Sequence, residues 1–142
     1  MRDDVELLKE CDSGVKMGIQ SINDVMEKAY GEDFKNMLNK YQGEHSKILR
    51  EIHEKLDARG ASDKEPNMFA TANSKISTGI KLMMNDTDEK IADIMIDGCN
   101  MGIKSVSRYM NEYAGASKEV MDVANNVVVL EQNFMNDLRQ FL

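Results

Sequence analysis

Apolar residues return every three or four positions along most of the chain, the spacing of amphipathic helices that each bury one stripe. Leu8, Cys11, Val15, Ile19, Ile22, Met26 and Ala29 form the first stripe and predict a helix from Asp4 to Tyr30, ended by Gly31. Phe34, Leu38, Tyr41, His45, Ile48, Ile52 and Leu56 form a second, from Glu32 to Ala58, with Gly60 as its terminator. Almost no loop separates the two, so they fold back antiparallel. The segment Ala61 to Pro66 is the most loop-like stretch, and Phe69, Ala72, Ile76, Ile80 and Met83 beyond it predict a shorter helix inside a long connection. Asp86, followed three residues later by Glu89, has the pattern of a capping box and starts a third helix. Its inward positions are Ile91, Ile94, Met95, Gly98, Gly102, Val106, Tyr109 and Tyr113, and it stops at Gly115. A fourth helix, Lys118 to Phe141, turns Val120, Ala124, Val127, Glu131, Phe134 and Leu138 inward. The run from Val127 to Leu130 is apolar on more than one face. It reads either as burial beneath the crossover helix or as an oligomer interface.

The two hairpins repeat one another. Met-Gly-Ile-Gln-Ser-Ile at Met17 to Ile22 returns as Met-Gly-Ile-Lys-Ser-Val at Met101 to Val106, pairing Gly14 with Gly98, Gly18 with Gly102 and Gly31 with Gly115. A register two residues longer pairs Phe34 with Val120, Tyr41 with Val127, His45 with Glu131 and Leu56 with Leu142. The pattern therefore predicts an all-α, up-down-down-up four-helix bundle occupying residues 1–142 as one domain. Its parts are a hairpin at 1–59, a crossover at 60–86 carrying the short helix, and a hairpin at 87–142.

Composition narrows the function. The 142 residues suffice for a core without disulfides or metal as staples. Twelve methionines, a single proline and no tryptophan suit a helical core filled by flexible side chains. A net charge of −7, with no stripe of Lys and Arg, argues against a nucleic-acid partner. No stretch approaches the roughly 20 apolar residues of a membrane span, and the acidic opening Met-Arg-Asp-Asp-Val-Glu is no secretory signal. The cytoplasm is the expected compartment. Cys11 and Cys99 are isolated and lack the spacing of zinc or redox sites, which predicts reduced core thiols.

Candidate chemistry is sparse. A di-iron bundle needs a glutamate from each of two helices and Glu-x-x-His from each of the other two. Here the only histidines are His45 and His53, Gln42 stands where Glu-x-x-His would begin, and Val128 precedes Glu131 by three. No full site is expected. His45 and Glu131 nevertheless interrupt apolar stripes at matching positions, which suggests a buried polar pair with the Tyr41 hydroxyl as a neighbouring partner. Two other readings stand beside it: side chains reaching solvent at a helix edge, and a mononuclear metal site with Glu44, so that Glu44, His45 and Glu131 are weak metal candidates. Asp93 and Asp97, one turn apart, read as a solvated edge, and His53 as part of a polar surface. Gly14-x-x-x-Gly18 and Gly98-x-x-x-Gly102 read as flat patches for close helix packing, because glycine costs about 1 kcal/mol in a helix interior and needs a compensating contact. No phosphate loop, dinucleotide fingerprint or nucleophile elbow is present.

The segment Ile-Ala-Asp-Ile-Met-Ile-Asp-Gly-Cys-Asn-Met-Gly-Ile-Lys-Ser-Val at Ile91 to Val106, and the ending from Glu131 to Leu142, resemble small ferritin-like bundle proteins of unknown function found in Firmicutes. A looser similarity links the chain to ferritin-like spore-coat proteins. The resemblance covers essentially the whole chain and implies a ferritin-like fold and bacterial origin, with no activity to transfer to named residues. The expected function is a non-enzymatic structural or interaction role in stress or sporulation physiology, with self-association and no cofactor. The alternative is a metal-binding ferritin-like protein or oxidoreductase with a reduced site near His45 and Glu131.

Overall fold

The computed structural model describes residues 2–62 and 87–142. They form four long helices: α1 (Arg2–Met26), α2 (Glu32–Ala58), α3 (Asp88–Glu112) and α4 (Lys118–Leu138), the last followed by a 3-10 turn, Arg139–Phe141. The crossover helix expected between Phe69 and Met83 lies outside the described residues.

Helix ends are set by cross-hairpin hydrogen bonds that the apolar pattern does not encode. α1 stops at Met26 rather than Tyr30, because the Tyr30 and Gly31 backbone N–H groups donate to the two carboxylate oxygens of Asp88, each at 2.9 Å, instead of to helix carbonyls. Gly31 is extended (φ −73°) and is the N-cap of α2. Its missing side chain makes room, since a Cβ there would lie 3.0 Å from Asp88 Oδ2. The other turn is built alike: Gly115 N–H donates to Asp3 Oδ2 at 3.0 Å, and a Cβ at 115 would stand 2.6 Å from that oxygen. α3 is capped by Thr87 rather than Asp86, with Thr87 Oγ1 accepting from Lys90 N–H at 3.1 Å. Gly60, at φ 67°, takes the left-handed conformation that ends α2.

These ties fix the topology. The end of α1 meets the start of α3 through Asp88, and its start meets the end of α3 through Asp3, so the two helices are antiparallel neighbours. Lys55 pairs with Glu119, and the Tyr41 hydroxyl donates to Asp137, which sets α2 antiparallel to α4. The order is up, down, down, up. Asp4 adds a buried clamp, accepting from Ser117 N–H at 2.6 Å and from the Arg59 guanidinium at 3.2 Å.

Two apolar clusters fill the interior, one toward each end. Leu7, Leu8, Cys11, Val15, Ile52, Leu56, Val106 and Val120 belong to the first. Ile22, Val25, Phe34, Leu38, Met95, Cys99, Phe134 and Leu138 belong to the second. Positions 84 residues apart are both buried, the first of each pair in one cluster and the second in the other: Leu7 and Ile91, Leu8 and Ala92, Cys11 and Met95, Val15 and Cys99.

Candidate functional site

Between the two clusters lies a layer with one residue from each helix: Gly18 on α1, His45 on α2, Gly102 on α3 and Glu131 on α4. His45 is fully buried, at 0 % exposure. Its Nε2 lies 2.6 Å from Glu131 Oε1, and its Nδ1 lies 2.6 Å from the Tyr41 carbonyl oxygen one turn earlier. The ring also meets Phe134 edge-on, with centroids 5.8 Å apart. The Tyr41 hydroxyl does not join this pair as expected. It reaches Asp137 instead, because the Tyr41 ring stacks on Phe134 and is carried toward the end of α4.

Burial opposes charge on His45, yet the hydrogen bond and negative charge of Glu131, with the Tyr41 carbonyl, outweigh it and hold the imidazole above its ordinary pKa of 6.5. Glu131 receives a second contact from α3, where burial and the adjacent carboxylate push the Cys99 thiol far upward. Burial, helped by Glu10 and Asp12, likewise pushes Cys11 up to about 12. Both cysteines are thus protonated at neutral pH, and neither is an activated nucleophile.

The glycines reveal how the layer is accommodated. A Cβ on Gly18 would lie 2.9 Å from His45 Cδ2 and 3.0 Å from Nε2, so the ring occupies the space a side chain on α1 would need. A Cβ on Gly102 would make ordinary contact with Glu131, at 3.8 Å from its Cγ. Gly14 and Gly98 behave otherwise: a Cβ on either would meet nothing within 4 Å. Close helix packing therefore does not account for these two. With Met17 and Met101 they flank a groove between α1 and α3, of about 70 Å³, whose lining also includes Cys99 and Glu131.

The donor set does not fit the metal centre that this architecture can carry. α1 and α3 present Gly18 and Gly102 to the layer, where carboxylates would be required, and both imidazole nitrogens of His45 are engaged. Glu44 is exposed on α2 and is not brought to the pair. Among the described residues no three His, Cys, Asp or Glu side chains are grouped to hold a metal. Asp93 and Asp97 are both exposed. His53 departs from a free polar surface, because its Nε2 lies 2.6 Å from Oδ1 of Asp12, a fully buried carboxylate that also pairs with Lys16 at 3.0 Å. The clamps at Asp4 and Asp88 were not anticipated. A signal for them exists, since these two residues occupy equivalent places in the repeat.

No helix among the described residues is long and apolar enough to cross a membrane. The crystal structure of Dps92 from Deinococcus radiodurans matches with a TM-score of 0.77, covering 99 % of this chain and 86 % of that one. At 10 % sequence identity this likeness establishes the ferritin-like four-helix fold alone. No curated protein matches. The family model described as a domain of unknown function, DUF2383, matches residues 3–112, from the first turn of α1 to the end of α3, and the chain belongs to that family.

Proposed function

We propose that this protein is a non-enzymatic structural and interaction bundle that self-associates. The observation that carries this reading is the make-up of the middle layer. The place where a bundle of this architecture would hold reactive or metal-binding groups is filled by two glycines and one hydrogen-bonded pair. That layer joins helices rather than presenting a reactive atom.

The interaction surface supported best is one end of the bundle. Tyr30, at 78 % exposure, and Leu142, at 60 %, both lie at the end where α1 and α4 finish, beside the Phe34–Phe141 ring contact. Apolar side chains exposed together favour contact with another surface. Of the methionines, Met17 and Met37 are half-buried, and Met68 and Met84 lie outside the described residues. Size-exclusion chromatography with light scattering tests the reading. The protein should run as a dimer or larger, and replacing Tyr30 and Leu142 together by Ser should shift it toward monomer. A wild-type protein that stays strictly monomeric at high concentration would refute self-association.

A further inference from the structure

Hydrogen-bond bookkeeping at His45 leads beyond a structural role. A carbonyl oxygen only accepts, so Nδ1, 2.6 Å from the Tyr41 oxygen, must carry a hydrogen. Nε2 and Glu131 Oε1, 2.6 Å apart, must then share one further proton, either as imidazolium and carboxylate or as imidazole and carboxylic acid. Without that proton, one nitrogen lone pair must face an oxygen acceptor at 2.6 Å, the Glu131 carboxylate or the Tyr41 carbonyl according to the tautomer. The ring has no retreat: the Gly18 backbone closes on one side, Phe134 stands on another, and rotation would break the Tyr41 bond.

We propose that the His45–Glu131 pair is a proton latch, which keeps α2 and α4 closed at mid-bundle while it holds its shared proton and releases them when that proton is lost as pH rises. The groove between α1 and α3 supplies the route for proton exchange, because Glu131 lines it and Gly18 and Gly102 leave the way unblocked. Release frees Glu131 to turn an ionised carboxylate into that groove. The groups facing the pair are few. α3 brings the Cys99 thiol, α1 brings Gly18 and, farther along the groove that Glu131 lines, the buried Glu10 carboxylate near the Tyr109 hydroxyl of α3, and α2 adds the more distant charge of exposed Glu44. Burial and neighbouring carboxylates also push Cys11, Cys99 and Tyr41 above their ordinary values, so each adds its own loss of stability once the unfolded chain's thiols and phenols ionise, above about pH 8, and the pair is read below that.

The sign follows from linkage. Between the ordinary histidine pKa of 6.5 and the higher value of the folded pair, the folded state holds one proton more than the unfolded state. The folding constant should therefore drop about tenfold per pH unit across that window. Below it, this contribution is fully present.

The test is urea unfolding of the whole chain at several values from about pH 5 to about pH 8, below the range in which unfolded thiols and phenols ionise, with the His45 ring nitrogens and Glu131 carboxyl carbon followed by NMR. Wild type should lose stability as the pair's proton leaves. Glu131→Gln should be flat in the same window, because an amide N–H satisfies neutral Nε2 and burial, then unopposed, keeps His45 uncharged. His45→Gln, whose amide also satisfies both neighbours, should be flat too and serves if the first variant does not fold. Neutral His45 beside ionised Glu131 at about pH 6.5, or a loss of the same size in the folded variants below about pH 8, would overturn the latch.

Discussion

Gly18 is the residue on which the middle layer turns, and its substitution separates packing from propensity. An alanine methyl would have to displace a buried ring whose two nitrogens are both bonded, at contacts of 2.9 and 3.0 Å. Overpacking of this kind costs about 1–3 kcal/mol, more than the gain of about 1 kcal/mol in helix propensity, so Gly18→Ala should be destabilising by up to about 2 kcal/mol. Gly102→Ala, at 3.8 Å from Glu131, should be neutral or slightly stabilising, and urea midpoints at constant slope distinguish the two. His45 and Glu131 were legible in the sequence because a polar residue interrupting an apolar stripe must find a partner or reach water. Their meeting was less legible. It depends on how deeply α1 lets the ring enter, which is set by a glycine that the sequence alone presents as a helix-packing motif.

At the level of the helices, the two glycine motifs divide by position rather than by helix. Gly14 and Gly98 face the groove, where a Cβ meets nothing, and in a helix interior each gives up about 0.5–1 kcal/mol relative to alanine. The double variant Gly14→Ala with Gly98→Ala should accordingly raise stability by about 1–2 kcal/mol, seen as a higher melting temperature, if the groove is empty space. A fall in stability would mean that the groove walls are in contact in solution. The helices themselves were readable from their stripes, but their ends were not. α1 is cut short by Asp88 from the other hairpin, and α3 is capped by the threonine beside the expected aspartate. Both outcomes depend on partners that periodicity does not contain.

Across the whole molecule, four stripes and two tight turns were enough to predict the bundle, because burying each stripe against the others leaves few alternatives for helices so joined. The division of the core into two apolar clusters with a polar layer between them required the three-dimensional register. That layer also separates a protein built on packing from one built on metal chemistry. Elemental analysis of protein purified without chelator, alongside His45→Gln, asks the question directly. The predicted result is no stoichiometric transition metal in the wild type and no change in the variant. About one iron or zinc per chain, lost when His45 is replaced and bound near 2.0–2.3 Å from the ring, would contradict a layer held together by a shared proton.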